Sequence, residues 1–224
     1  MGWKFGAALA IAVLLTPTVA VGRDFSRALI IRTYNNYGVP ADDLLAARLH
    51  VDQIFNDAGI EMIWLDCWYR DKQPADAPAR CRQPLADNEL MLRLQAPGQA
   101  WGRRFVSMGF SLVNLEEGVP FLSAVFVDLV ASISRSAAVD FRLLLGRAIA
   151  HEIGHLLLDT SRHADQGLMR ADWSRAELQR NNAADWAFRD AEITTMQRAA
   201  TSRNVRSTVP TPGPSESQTL AASR

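Results

Sequence analysis

The segment that most limits how this chain can fold is Ala150-His151-Glu152-Ile153-Gly154-His155-Leu156-Leu157-Leu158. It continues an apolar run, Phe141-Arg142-Leu143-Leu144-Leu145-Gly146-Arg147-Ala148-Ile149, that suits a helix packed inside a domain. Histidines four apart on a helix return to one azimuth at about 3.6 residues per turn, so both imidazoles point the same way. Buried polar groups left unpaired cost about 1–3 kcal/mol each, so two histidines in such a helix need partners. One metal ion would satisfy both. Glu152 stands one step round from His151, which puts its carboxylate beside such an ion, where it can take a proton from water. That arrangement implies hydrolysis. The competing reading is a pair of core histidines bonded to backbone carbonyls.

The chain has four histidines, and three fall in this stretch. His163 follows Asp159-Thr160-Ser161-Arg162, a short polar segment of the kind that leaves a helix. A catalytic zinc site needs three protein ligands and one open position, and His151, His155 and His163 fill that set. Glu177 is the rival third ligand. It ends Ser174-Arg175-Ala176-Glu177, however, and a serine followed three residues later by glutamate reads as a capping box, which accounts for Glu177 without a metal. His50 lies off the apolar stripe of an earlier helix and is assigned no role.

These residues resemble the metzincin clan of zinc endopeptidases, whose segment reads His-Glu-x-x-His-x-x-Gly-x-x-His and is followed by a tight turn carrying a methionine. His151, Glu152 and His155 match the first part, His163 resembles the third ligand, and Gly167-Leu168-Met169 resembles the methionine turn. The third histidine comes two residues later than in the family, and Leu158 occupies the family's glycine position. Leucine resists the positive φ that glycine allows, so the exit from the helix is expected at Asp159, a residue tolerant of left-handed geometry. No tyrosine follows Met169, so the extra tyrosine ligand of some metzincins has no counterpart.

The resemblance implies a single α+β domain: a twisted mixed sheet packed on helices, with an active-site helix and a short C-terminal helical part. It implies Zn2+ as cofactor, Glu152 as general base, Met169 as an apolar floor beneath the metal, and a peptide or protein as substrate. In metzincins the strand before the active-site helix borders the cleft, which implies that residues near Ser123 to Phe126 pair with a substrate chain by strand addition. Two alternatives stand beside an endopeptidase. One is a zinc-bearing binding module without turnover, and the other is a zinc amidase acting on a small substrate.

The first 20 residues have Lys4, an uncharged apolar run from Gly6 to Leu15, Pro17, and small residues up to Ala20. This pattern predicts a secretory signal peptide over residues 1–20, and the run is short of the roughly 20 apolar residues a membrane span needs. The product is expected to be secreted or periplasmic, with no stable membrane insertion after cleavage, and a monomer. Residues 21–200 are a size for one catalytic domain. With 24 basic and 24 acidic residues, bulk charge selects neither nucleic acid nor a cationic partner. The only cysteines, Cys67 and Cys81, flank a proline-containing loop, and in an exported protein they predict a disulfide. Closing about 15 residues contributes on the order of 3 kcal/mol in the chain-entropy model. No pro-segment is expected, because the first strand begins soon after the cleavage point.

Ala28 to Tyr34 is β-branched and apolar and ends in a turn signal, which predicts a strand. Asp42-Asp43 opens a helix with inward positions Leu44, Ala47, Val51, Ile54 and Ala58, closed by Gly59. Ile60 to Leu65 reads as a strand apolar on both faces, inside a covered sheet. Strand, helix and strand make a right-handed crossover. Further strands are predicted at Asn88 to Leu94, Met108 to Val113 and Phe121 to Asp128, with Trp101-Gly102-Arg103-Arg104 in a solvated loop. A last helix is predicted over Asp190 to Ala200, and residues 201–224, rich in Ser, Thr, Pro and Arg, are expected to be disordered.

Overall fold

The computed structural model describes residues 25–68, 78–97, 107–113 and 118–208. The expected signal peptide, the loop at Trp101 to Arg104 and the last part of the expected tail lie outside them. The chain builds one five-stranded sheet in the order β2-β1-β3-β5-β4. Its strands are β1 (Ala28–Asn35), β2 (Glu61–Cys67), β3 (Glu89–Gln95), β4 (Gly109–Ser111) and β5 (Leu122–Phe126). All pairings are parallel except that of β4 with β5. The fold is therefore α+β with a mixed sheet, as expected, and β1 and β2 are joined by a crossover through α1 (Ala41–Asp57).

Two helices contribute more to the core than the others. On α1 the buried positions are Leu44, Ala47, Val51 and Phe55, so the fourth inward residue is Phe55, and Ile54 sits half-buried beside it. The second is α3 (Phe141–Leu158), where every residue from Leu144 to Leu157 is buried. Leu29 and Ile31 of β1, Leu90, Leu92 and Leu94 of β3, and Val125 of β5 join the same apolar core. The opposite face of the sheet is not bare. Arg32 reaches from β1 to the carbonyls of Gln83 and Pro84 and pairs with Glu89, in the segment that the Cys67–Cys81 disulfide ties to the end of β2.

Four expectations need correction. β2 is an edge strand, with Ile63 42% exposed, so it is not covered on both faces. An additional helix, α2 (Val127–Ala137), begins directly at the end of β5, where the valine-rich run reads as more strand; it buries Val127, Val130, Ser134 and Ala137. β5 is paired on both sides, so among the described residues the border strand near α3 is β4 and not the one containing Ser123 to Phe126. The last helix, α5 (Asp190–Thr208), continues eight residues past Ala200. Its polar end is held by tertiary contacts: Arg203 donates to the carbonyls of Asp87 and Pro120, Asn204 donates to Ala28, and the Ser207 hydroxyl accepts from Asn88. Apolar periodicity cannot report a helix anchored by hydrogen bonds.

Candidate metal centre

Helix α3 is set in place at both ends. Asp140 caps its start, its carboxylate accepting from the amides of Arg142 (2.7 Å) and Leu143 (3.4 Å). At the other end Asp159 takes the left-handed conformation, with φ 47°. The aspartate thus makes the exit that Leu158 could not, and Thr160 and His163 follow at once. The reversal brings His163 back over the helix it has just left.

His151, Glu152 and His155 are 8%, 5% and 6% exposed, whereas His163 is exposed on the rim. One ring nitrogen from each of the three histidines falls within 4.8 Å of the others. His163 stacks against His151 at 5.3 Å between centroids and meets His155 edge-on at 5.0 Å. The orientation of the inner pair is fixed from behind. His151 Nδ1–H donates to the Leu168 carbonyl (2.9 Å), and His155 Nδ1–H donates to that of Thr160 (2.7 Å). A carbonyl can only accept, so each neutral ring carries its proton on Nδ1 and leaves a lone pair on Nε2. Those two Nε2 atoms face each other at 3.0 Å.

Burial holds His151 down to about 3, the neighbouring His155 adding to the effect, while the bond to Leu168 and His163 act in opposite senses as smaller influences. His155 is likewise held below the ordinary imidazole value, chiefly by burial. Both rings therefore stay neutral, the form that binds metal. Burial pushes Glu152 up to about 7, against the opposing hydrogen bond from Ser111. Ser111 Oγ lies 2.7 Å from Glu152 Oε2 and 2.8 Å from the Glu152 carbonyl oxygen.

Met169 is buried beneath α3. A Cβ on Gly154 would come within 2.7 Å of Met169 Sδ and 2.8 Å of a Phe188 ring carbon, so the glycine beside His155 is what lets this methionine pack so closely. The turn that carries Met169 is closed by the Ala164 amide donating to the Met169 carbonyl (2.8 Å). Trp173 then packs edge-on against His151 at 5.6 Å and against Trp186 at 5.2 Å, and the Arg147 guanidinium lies 3.8 Å over the Trp186 ring. Beside the histidines opens a cavity of about 520 Å³ whose walls include Met108, Ile133, Ala148, Trp173 and Leu178.

No protein-family profile matches the chain, and no curated protein matches it. Among solved structures it is similar to archaemetzincin from Methanopyrus kandleri, at 16% identity over 81% of this chain and 98% of that one, with a TM-score of 0.45. A likeness at this distance assigns nothing to individual residues here.

The donor set itself fits a metal. Two imidazole lone pairs at 3.0 Å with no proton between them repel, and a cation placed between them removes the conflict. Their separation is near the about 3.3 Å expected for two ligands at ~2.05 Å from a tetrahedral zinc. Three nitrogen donors, two of them oriented by backbone carbonyls, are what such an ion takes. Glu177 is not among them. It accepts from the Ser174 amide at 2.8 Å, completes the capping box of α4 (Arg175–Arg180), and pairs with Arg170 at 3.2 Å. His50 sits apart on α1. The sequence reading missed Ser111, Gly154, Trp173 and Trp186, for which no periodicity or motif speaks; only Gly154, a glycine inside a helical run, left a local signal.

Proposed function

We propose that the protein is a zinc-dependent endopeptidase in which His151, His155 and His163 hold the ion and Glu152 is the general base. The observation that carries this reading is the pair of facing, protonless Nε2 atoms, with a third imidazole and a buried carboxylate alongside. Zinc bound there would supply Lewis-acid chemistry, lowering the pKa of a water and polarising a carbonyl.

The residues of the chain do the rest. Glu152, buried beside the inner pair of histidines, is placed to take a proton and give it up again. It takes that proton from the attacking water and passes it to the departing amine, so that the peptide C–N bond breaks as the new C–O bond forms. The outer edge of β4, unpaired among the described residues, supplies main-chain groups to which an extended peptide can add as a further strand. The cavity walled by Met108, Ile133 and Leu178 would accept an apolar side chain beside the scissile bond. Met169 forms a packed support under the inner pair of histidines. Export through the segment 1–20 would suit the Cys67–Cys81 disulfide.

The test is cleavage of unfolded protein substrates by purified protein carrying one zinc per chain. Glu152→Gln should abolish cleavage and keep the metal; a variant that cleaves as well as the parent would sink the mechanism. Bound zinc with no cleavage across a broad peptide library would favour a binding module instead.

A further inference from the structure

Glu152 is buried on a helix, yet the groups that surround its carboxylate come from the edge of the sheet. Gly109 and Ser111 alternate along β4 and so share one face, which their register opposite Val125 and Ser123 turns toward α3. A Cβ at position 109 would lie 2.6 Å from Glu152 Oε1 and 2.5 Å from the Ala124 carbonyl oxygen, closer than packed atoms stand. Glycine there leaves the space that Oε1 occupies. Two residues on, the Ser111 hydroxyl meets Oε2 at 2.7 Å. Before them, the Ser107 hydroxyl donates to the Gly109 carbonyl (2.7 Å), bracing the entry to the strand.

We propose that Ser111 is a positioning residue that aims the Glu152 carboxylate, with Gly109 providing the room in which it is aimed. The inference rests on the peptidase reading above. A glutamate side chain has three rotatable bonds, and fixing it costs up to about 2 kcal/mol of rotamer entropy. No cation pairs with Glu152 among the described residues, so one hydrogen bond from β4 does the fixing. A hydroxyl suits the task because it can donate to a carboxylate or accept from a carboxyl group. It keeps hold of Oε2 while the proton comes and goes, turning its own hydrogen to the Glu152 carbonyl in the second case. Because the other edge of β4 has no strand partner among the described residues, a substrate chain pairing there would press on the same three-residue strand that directs the base. Substrate engagement and base orientation thus share one element.

Ser111→Ala and Ser111→Thr, each loaded with zinc, separate this role from a merely structural one. A displacement of about 1 Å in a catalytic group can cost on the order of a hundredfold. Ser111→Ala should therefore lower kcat about 10- to 100-fold with KM and zinc content unchanged, and Ser111→Thr, which restores the hydroxyl, should recover most of it. Ser111→Cys, a weak donor of similar size, should resemble the alanine variant. Crystal structures give a readout that needs no turnover: Glu152 should take one rotamer in the parent and in Ser111→Thr, and more than one in Ser111→Ala. Parent-like kcat with a single rotamer in Ser111→Ala would overturn the proposal, as would equal losses in the alanine and threonine variants, or loss of zinc. If the parent binds zinc but cleaves nothing, it is the peptidase reading that fails, and the rotamer comparison still decides the part played by Ser111.

Discussion

Two of the regions in which this molecule buries polar side chains do so in opposite ways. On the sheet face near the disulfide, Glu89 accepts from Arg32, from Arg80 and from the amide of Ala86, while Arg32 also donates to the carbonyls of Gln83 and Pro84. Donors meet acceptors and opposite charges meet, with only the Arg32 Nε left over. On α3 the polar groups are just as buried, but the two imidazoles present acceptor to acceptor and Glu152 has a hydroxyl in place of a cation. Apart from that one nitrogen, the first cluster is satisfied within the protein. In the second, a cation between the facing nitrogens would remove their repulsion, and the contrast separates a polar core that holds a fold from one suited to a ligand.

Removing one member from each cluster sharpens that contrast. His155→Ala should take zinc content from one per chain to none and cleavage with it, measured by metal analysis and proteolysis, while the apo protein stays folded. Retention of a full zinc complement would break the assignment of the centre. Arg32→Met should instead leave zinc and cleavage intact and cost up to about 3 kcal/mol in urea denaturation, because it leaves the buried Glu89 carboxylate with only the half-exposed Arg80 as its cation. The double replacement Arg32→Met with Glu89→Met should regain most of that loss, since an apolar pair of similar size can stand in for a buried ion pair.

Chelation comes next in size. Zinc at a hundred times its dissociation constant stabilises a folded protein by about 2.7 kcal/mol, so EDTA should lower the melting temperature of the parent and leave that of His155→Ala unmoved. An equal shift in both would place the bound metal elsewhere.

The smallest effect belongs to the α4 capping box. The hydrogen bond from the Ser174 side chain, then that from its backbone amide, holds Glu177 below the ordinary carboxylate value of 4.5. A carboxylate depressed in the folded state adds stability that is present above its unfolded value and lost as pH falls through the folded one. Between neutral pH and about 5, Glu177→Gln should thus carry a slight stability deficit, and the deficit should vanish in more acidic solution. A deficit that persists unchanged at low pH would show that charge on Glu177 is not what matters.

How far each part could be read in advance follows from the kind of signal it left. The β1–α1–β2 crossover was legible because alternating and three-to-four spacing are properties of neighbouring residues, and the capping box and the Asp159 exit because they are local chemistry. α2 was not, since Val127-Asp128-Leu129-Val130 continues the β-branched composition of β5 and nothing between them marks a turn. Nor was the border strand. Whether a strand lies in the middle of a sheet or at its border depends on which other strand arrives beside it: β4, the strand before β5 in the chain, folds back antiparallel on one side of β5, and β3 pairs with its other side. The end of α5 was lost for a related reason: Arg203, Asn204 and Ser207 read as a solvated tail until the starts of β1 and β3 come within reach of their side chains.

The sequence alone determined the helix that carries the candidate metal ligands, because two imidazoles four residues apart and a carboxylate between them are fixed relative to one another by helical geometry and by nothing further away. It also determined that a third histidine lay within reach, for eight residues is a short tether. Tertiary structure alone decided that the inner rings are locked into one tautomer, since the Leu168 and Thr160 carbonyls reach them only after the chain has turned back. It alone decided that Glu152 is steadied from β4, because Ser111 is 41 residues away along the chain and 2.7 Å away in space. Covalent neighbours set what the site contains; long-range packing sets where its lone pairs and protons point.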